Sequence, residues 1–308
     1  MKKINTLLLS ISLGCCIIFS AAPFCRSYDD IIESNEIFIA VYNDFPPFSY
    51  KDNGKAKGID IDLAQIIAKQ LDVKLRLRWM TADENVDDDL RNNLWKGHYL
   101  KKTVADLMLR VPYDRDYSLI RDDIGELVHQ HVHMFAPYHT ESWKIIYNNE
   151  KIDSVDTIGV FQYYDIGVEI DSVPQFYLSS AFRGSMRDHA KQFLSIKDAM
   201  DAMTVNEVDA VMGLNSQISY FQNKISVNDT ISENHYVLAE NDFPMMGKPQ
   251  WDIGMAVKAD YRQLGYAVAD IVEAMVAQGE LEHIFSNYHV LYKTPNLYQA
   301  IKRSVHPK

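Results

Sequence analysis

The stretch from Ile37 to Trp79 limits the fold most, because it packs strand, helix and strand into one short piece of chain. Ile37-Phe38-Ile39-Ala40-Val41 is an apolar run suited to a buried strand. Phe45-Pro46-Pro47-Phe48 cannot extend it, since proline has no N–H for the ladder. Asp52-Asn53-Gly54 supplies turn chemistry, and Asp62 is the expected N-cap of a helix on which Leu63, Ile66, Ile67 and Leu71 recur at helical spacing. Val73, Leu75, Leu77 and Trp79 then alternate with Lys74, Arg76 and Arg78, the period of a strand with one buried face. Such a unit requires a parallel sheet with a helix across it.

The rest of the chain repeats the theme without repeating the sequence. Asp87-Asp88-Asp89 before Leu90 favour a helix N-terminus through the helix dipole, and a calcium site is the minor alternative. Strands are predicted at Ala105 to Val111, Leu127 to Phe135, Ile166 to Ile170, Asp209 to Met212 and Asp252 to Val257. A helix with Ala199, Met200 and Met203 on one face follows Ser195, its expected cap. Leu264, Val268, Ile271, Val272, Met275 and Val276 predict a long closing helix, broken at Gly279 and resumed with Leu281, Ile284 and Phe285. With 308 residues, two α/β lobes are expected.

The first 27 residues stand apart. Lys2 and Lys3, an almost uncharged run to Cys25 and the small residues Ser20-Ala21-Ala22 predict a secretory signal peptide, with a retained anchor as the competing reading. Cleavage falls after Ala22 or near Ser27, and acylation at Cys15 fits poorly because apolar residues continue beyond it. Cys15, Cys16 and Cys25 all lie in this segment, so the processed chain has no thiol for a disulfide, a metal or nucleophilic catalysis. A periplasmic location is expected. The balance of 31 basic and 42 acidic residues, net −11, disfavours nucleic acid as a partner.

No G-x-S-x-G, P-loop, G-x-G-x-x-G or H-E-x-x-H motif occurs. His129, His131 and His133 are the weak metal candidates: on a strand they would share a face, roughly 7 Å apart per step. No fourth ligand accompanies them, and the preferred reading is no metal, no cofactor and no catalytic residue.

Three segments carry a family resemblance: residues 37–71 (IFIAVYNDFPPFSYKDNGKAKGIDIDLAQIIAKQL), 206–221 (NEVDAVMGLNSQISYF) and 251–288 (WDIGMAVKADYRQLGYAVADIVEAMVAQGELEHIFSNY). In these the chain resembles the bacterial extracellular solute-binding proteins of family 3, which have the type II periplasmic binding protein fold. The resemblance implies an α/β protein of two Rossmann-like lobes joined by two crossover strands. Lobe one would take residues 28–135 plus 253–308 and lobe two residues 136–252, with crossings near His131 to Tyr138 and Asp252 to Val257. A small-molecule solute would bind between the lobes, which close by hinge motion.

The same resemblance assigns ligand-binding roles to Tyr42, Phe45, Arg110, Tyr113, Asp114, Ser172 and Asn215, with Phe45 stacking on the ligand and Phe48 in the core. Both charge anchors for an amino acid are missing. Ser118 stands where the family has a carboxylate-clamping arginine, leaving Arg110 or Arg115 as substitutes, and Leu214 stands where an aspartate meets the ligand's ammonium group. An unpaired buried charge costs several kcal/mol, which argues against an ordinary α-amino acid. The resemblance implies a monomer that is not an enzyme and serves an inner-membrane ABC permease. One alternative is an accessory protein of a periplasmic quinoprotein dehydrogenase, suggested by Val111-Pro112-Tyr113-Asp114. The other is a dehydratase-like enzyme with Asp114 or Glu169 as its acid.

Overall fold

The computed structural model describes residues 26–100, 102–228, 235–241 and 247–299, so the cysteines and nearly all of the expected leader lie outside the described residues. Its opening unit is the expected one: β1 (Glu36–Tyr42), α2 (Ile59–Gln70) and β4 (Lys74–Met80), with β1 and β4 parallel and in register from Glu36–Lys74 to Tyr42–Met80. A short helix, α1 (Tyr28–Ser34), precedes them, and the hairpin β2 (Tyr50–Asp52) and β3 (Lys55–Lys57) sits between β1 and α2. The N-cap of α2 is Gly58, a correction to Asp62. Gly58 has φ 129°, and a Cβ there would lie 2.1 Å from the Phe48 carbonyl oxygen, so no side chain is tolerated. Asp62 sits in the first turn instead and accepts a hydrogen bond from the Tyr288 hydroxyl at 2.9 Å.

The helix led by the aspartates is α3 (Val86–Leu90), capped by Asn85, and it passes into a π-helical turn at Arg91–Trp95. Next come β5 (Leu107–Tyr113) and α4 (Arg115–Ser118). β6 (Val132–Asn148) is 17 residues long. β7 (Ile166–Glu169), α5 (Val173–Gly184), β8 (Ala190–Phe193), α6 (Ile196–Thr204), β9 (Ala210–Leu214) and α7 (Asn215–Asn228) follow. After β10 (Tyr236–Leu238), the chain returns through β11 (Gln250–Lys258) and closes with α8 (Arg262–Gln278) and α9 (Glu280–Asn287), separated at Gly279 as expected.

The strand order β4-β1-β5-β11-β6-β9-β7-β8, with β10 beside β6, divides the sheet into two parallel groups. β4, β1 and β5 form one; β9, β7 and β8 form the other. β11 and β6 run antiparallel between them and are the two crossover strands. Their register slips at Gly254, which residues 136–138 oppose, and Ala136 has a φ of 45°. A Cβ on Gly254 would meet the Phe135 carbonyl oxygen at 2.7 Å, so glycine lets the crossing strands stay close where they bend. One apolar core runs through both groups, from Ile37, Phe48, Leu63 and Phe285 to Met200, Val211 and Ile218, and a second, around Ile145, Phe161, Val168 and Leu178, lies within the β9, β7 and β8 group.

Arg26 belongs to the folded body although the sequence places it in the leader. Its guanidinium forks onto the carboxylate of Asp106, which is only 3% exposed, and also reaches the Glu36 carbonyl and the Ser34 hydroxyl. Among the described residues, no helix is long and apolar enough to cross a membrane.

The strand expected at Leu127 to Phe135 is a second correction: it begins only at Val132, and residues 128–131 form a turn. The three histidines therefore do not share a strand face. His129 packs tilted against Tyr117 and His131 against Trp95, and His133 stacks on Phe135. Among the described residues, no group of three or more metal-ligating side chains comes together.

Candidate functional site

Between the two strand groups lies a cleft of about 780 Å³. Phe45, Ala82, Asp83 and Glu84 line it from one side; Trp143, Glu169 to Ser172, Pro174, Phe176, Met212 to Leu214 and Gln217 line it from the other. The elements explain these positions. Ala82 to Glu84 follow the C-terminal end of β4, Glu169 to Ser172 that of β7, and Leu214 ends β9. Ligands of open α/β sheets collect at these strand ends.

The cleft is acidic. Asp83, Glu84, Glu169 and Asp171 line it, with no Lys, Arg or His among the described residues that line it. Burial, and then the negative charge of Asp198, hold the Glu169 carboxyl above its ordinary range. The helix N-termini that face this side are already occupied by the chain's own groups. Ser172 caps α5, accepting from the Gln175 N–H, and Pro174 has no N–H. Ser195 caps α6 in the expected way, and Glu141 accepts from the N–H and hydroxyl of Ser216 at the start of α7.

A second charged region lies behind Phe45. The Arg110 guanidinium packs 3.6 Å from the ring centroid of Phe48 and 4.9 Å from that of Phe45. Arg110 is 8% exposed, and its positive φ of 59° turns it off the strand's ordinary path. Asp60, His139 and Glu141 surround it, all essentially fully buried. Burial pushes Asp60 up to about 6 against the opposing pull of Arg110 and of the Tyr138 hydroxyl, which donates to it at 2.8 Å. Burial likewise raises Glu141, and burial plus Arg110 drive His139 down to about 3. His139 is therefore neutral at pH 7, and its 3.9 Å approach to Glu141 is no ion pair.

Of the ligand-binding residues the resemblance assigned, Phe45 and Ser172 line the cleft and the others do not; Glu169, the acid candidate, and Leu214 line it as well. Phe48 is fully buried, as expected. Tyr42 donates to Asp89 at 2.7 Å. Tyr113 ends β5 opposite Asp252 of β11. Asp114 caps α4 through the Tyr117 N–H and pairs with Lys248, which holds its carboxyl below the ordinary range. Asn215 opens α7. Ser118 donates to the Asp114 carbonyl. Sequence reasoning missed Asp83, Glu84, Trp143, Phe176 and Gln217. The first two were findable: they sit just past a clearly legible strand.

The model for "Bacterial extracellular solute-binding proteins, family 3" matches residues 37–94. No curated protein matches the sequence. The fold is similar to that of the Streptococcus pneumoniae amino acid ABC transporter substrate-binding protein AbpA bound to L-arginine. That likeness has a TM-score of 0.57 at 20% identity and covers 85% of this chain and 97% of the other. The Neisseria gonorrhoeae solute receptor for L-cysteine gives 0.57 at 18%, covering 92% and 98%. An ancestral amino acid-binding protein described as a precursor of cyclohexadienyl dehydratase gives 0.58 at 18%, covering 85% and 99%. Residues 37–94 are thus similar in sequence to the family 3 solute-binding proteins, and most of the chain has the type II periplasmic binding protein fold.

Proposed function

We propose that this is a periplasmic solute-binding protein that closes its two lobes on a small molecule and delivers it to an inner-membrane ABC permease. The observation that carries this reading is the cleft itself, about 780 Å³ and lined from both strand groups. Lobe one takes residues 28–135 and 253–308 and lobe two residues 136–252. The register slip at Ala136 and Gly254 supplies a bend in both crossover strands, as hinge closure needs. Thermal-shift and calorimetric screening against a metabolite panel tests the reading. A true ligand at 100 times its Kd adds about 2.7 kcal/mol of stability. A panel with no stabilising member counts against it.

A second reading, docking to a periplasmic dehydrogenase, has one observation in its favour: the segment after Ser118 exposes Leu119, Ile120 and Ile124, the last at 83%. A permease and an ATPase encoded beside this chain favour the first reading, a dehydrogenase the second. The dehydratase reading is weaker. Asp114 is tied to Lys248, and a ring-carboxylate substrate would meet Glu169 in a cleft with no lining cation to hold it.

A further inference from the structure

Resting on the solute-binding reading, we infer that the cleft takes an organic cation without a carboxylate, an amine or guanidinium carried on an apolar or flat frame. Among the described residues, four carboxylates line it and no lining side chain is basic. Asp83 accepts from the Asn92 amide at 2.7 Å, which leaves its charge in place, and Glu84 and Asp171 are exposed. Glu169 is the most sheltered of the four. Its side chain has no hydrogen-bond or ion-pair partner among the described residues, and Asp198 adds a second negative charge nearby. Phe45, Trp143 and Phe176 present aromatic rings to the same space, and such rings attract cations and pack flat frames.

A carboxylate would find nothing in return for its lost hydration. Helix N-termini commonly receive anions, but those of α5, α6 and α7 are capped by Ser172, Ser195 and Glu141. Arg110 lies behind Phe45, where its charge offsets Asp60 and Glu141. The cleft therefore recognises the cationic end of a solute and leaves the anionic end of an amino acid unmet.

Agmatine and L-arginine form the matched pair that tests this, since they differ only by the carboxylate; phenethylamine and L-phenylalanine repeat it on an aromatic frame. Calorimetry on the purified mature protein is expected to show the decarboxylated member of at least one pair binding at least tenfold tighter. Glu169→Gln and Asp171→Asn are each expected to weaken that binding about tenfold without lowering the melting temperature. Equal or tighter binding of both amino acids overturns the inference, as does amine binding that neither substitution affects. If the wider panel yields only an anionic or neutral ligand, the solute-binding reading stands and the cation inference falls. If nothing in the panel binds, both fall.

Discussion

The cleft and the region behind Phe45 both gather carboxylates, yet they resolve them in opposite ways. Behind the ring, Asp60 and Glu141 are out of water, and burial holds both pKa values up against the opposing pull of Arg110. In front of it, Asp83, Glu84, Glu169 and Asp171 keep contact with solvent and have no cation among the residues lining the cleft. A buried carboxylate must be matched by the chain itself, or folding bears the cost. A solvated one in a cleft can remain unmatched until a ligand arrives. One aromatic ring separates a structural charge cluster from a receptive one.

The comparison breaks hardest at Arg110. Arg110→Met leaves Asp60 and Glu141 without their cation and is expected to destabilise the fold by about 3–5 kcal/mol. At this chain length that is a fall in Tm of roughly 10 °C, read by thermal denaturation. A ligand clamp would behave differently, losing affinity with stability intact.

Asp60 gives the next effect, and its sign is defined. Its pKa rises from an ordinary 3.8 to about 6 on folding, so the folded state favours the protonated acid. That contribution is complete below pH 4 and is lost as pH rises through about 6, amounting to about 3 kcal/mol. Urea midpoints measured from pH 4 to 7 should fall less steeply for Asp60→Asn than for the parent.

Phe45→Ala removes the partition itself. With Arg110 open to the cleft, L-arginine should gain about tenfold on agmatine, equivalent to about 1.4 kcal/mol. An unchanged ratio places the partition elsewhere. The smallest effect belongs to Glu169→Gln without ligand: stability should stay level or rise by about 0.5–1 kcal/mol, as is common when a strained binding group is relieved. A clear loss, measured by denaturant midpoint, gives Glu169 a structural task and weakens the contrast between the two regions.

Much of the scaffold was legible because its signals are local. The alternation at Leu75, Leu77 and Trp79, the cap at Ser195 and the break at Gly279 depend on residues within a turn or two of each other. The misreadings have long-range causes. Asp62 has the chemistry of a cap, but the contact between Gly58 and Phe48 starts α2 earlier. His129 and His131 alternate with His133 as in a strand, yet the chain turns until Val132 because each ring has an aromatic partner from a distant segment or element. Arg110 had the right charge for a clamp; Phe45 and Phe48 cover it, and a positive φ directs it inward.

The sequence alone determined most of the elements and their α/β class, since spacing and residue identity carry both. Tertiary structure decided which charges face each other. Asp60, Arg110 and Glu141 come from three separate elements, and Asp83, Glu169 and Gln217 from a loop, a strand and a helix far apart in sequence. Whether a carboxylate is matched inside the protein or left for a ligand depends on distance and on access to water. Both are set only when β6 and β11 bring the two strand groups together on either side of Phe45.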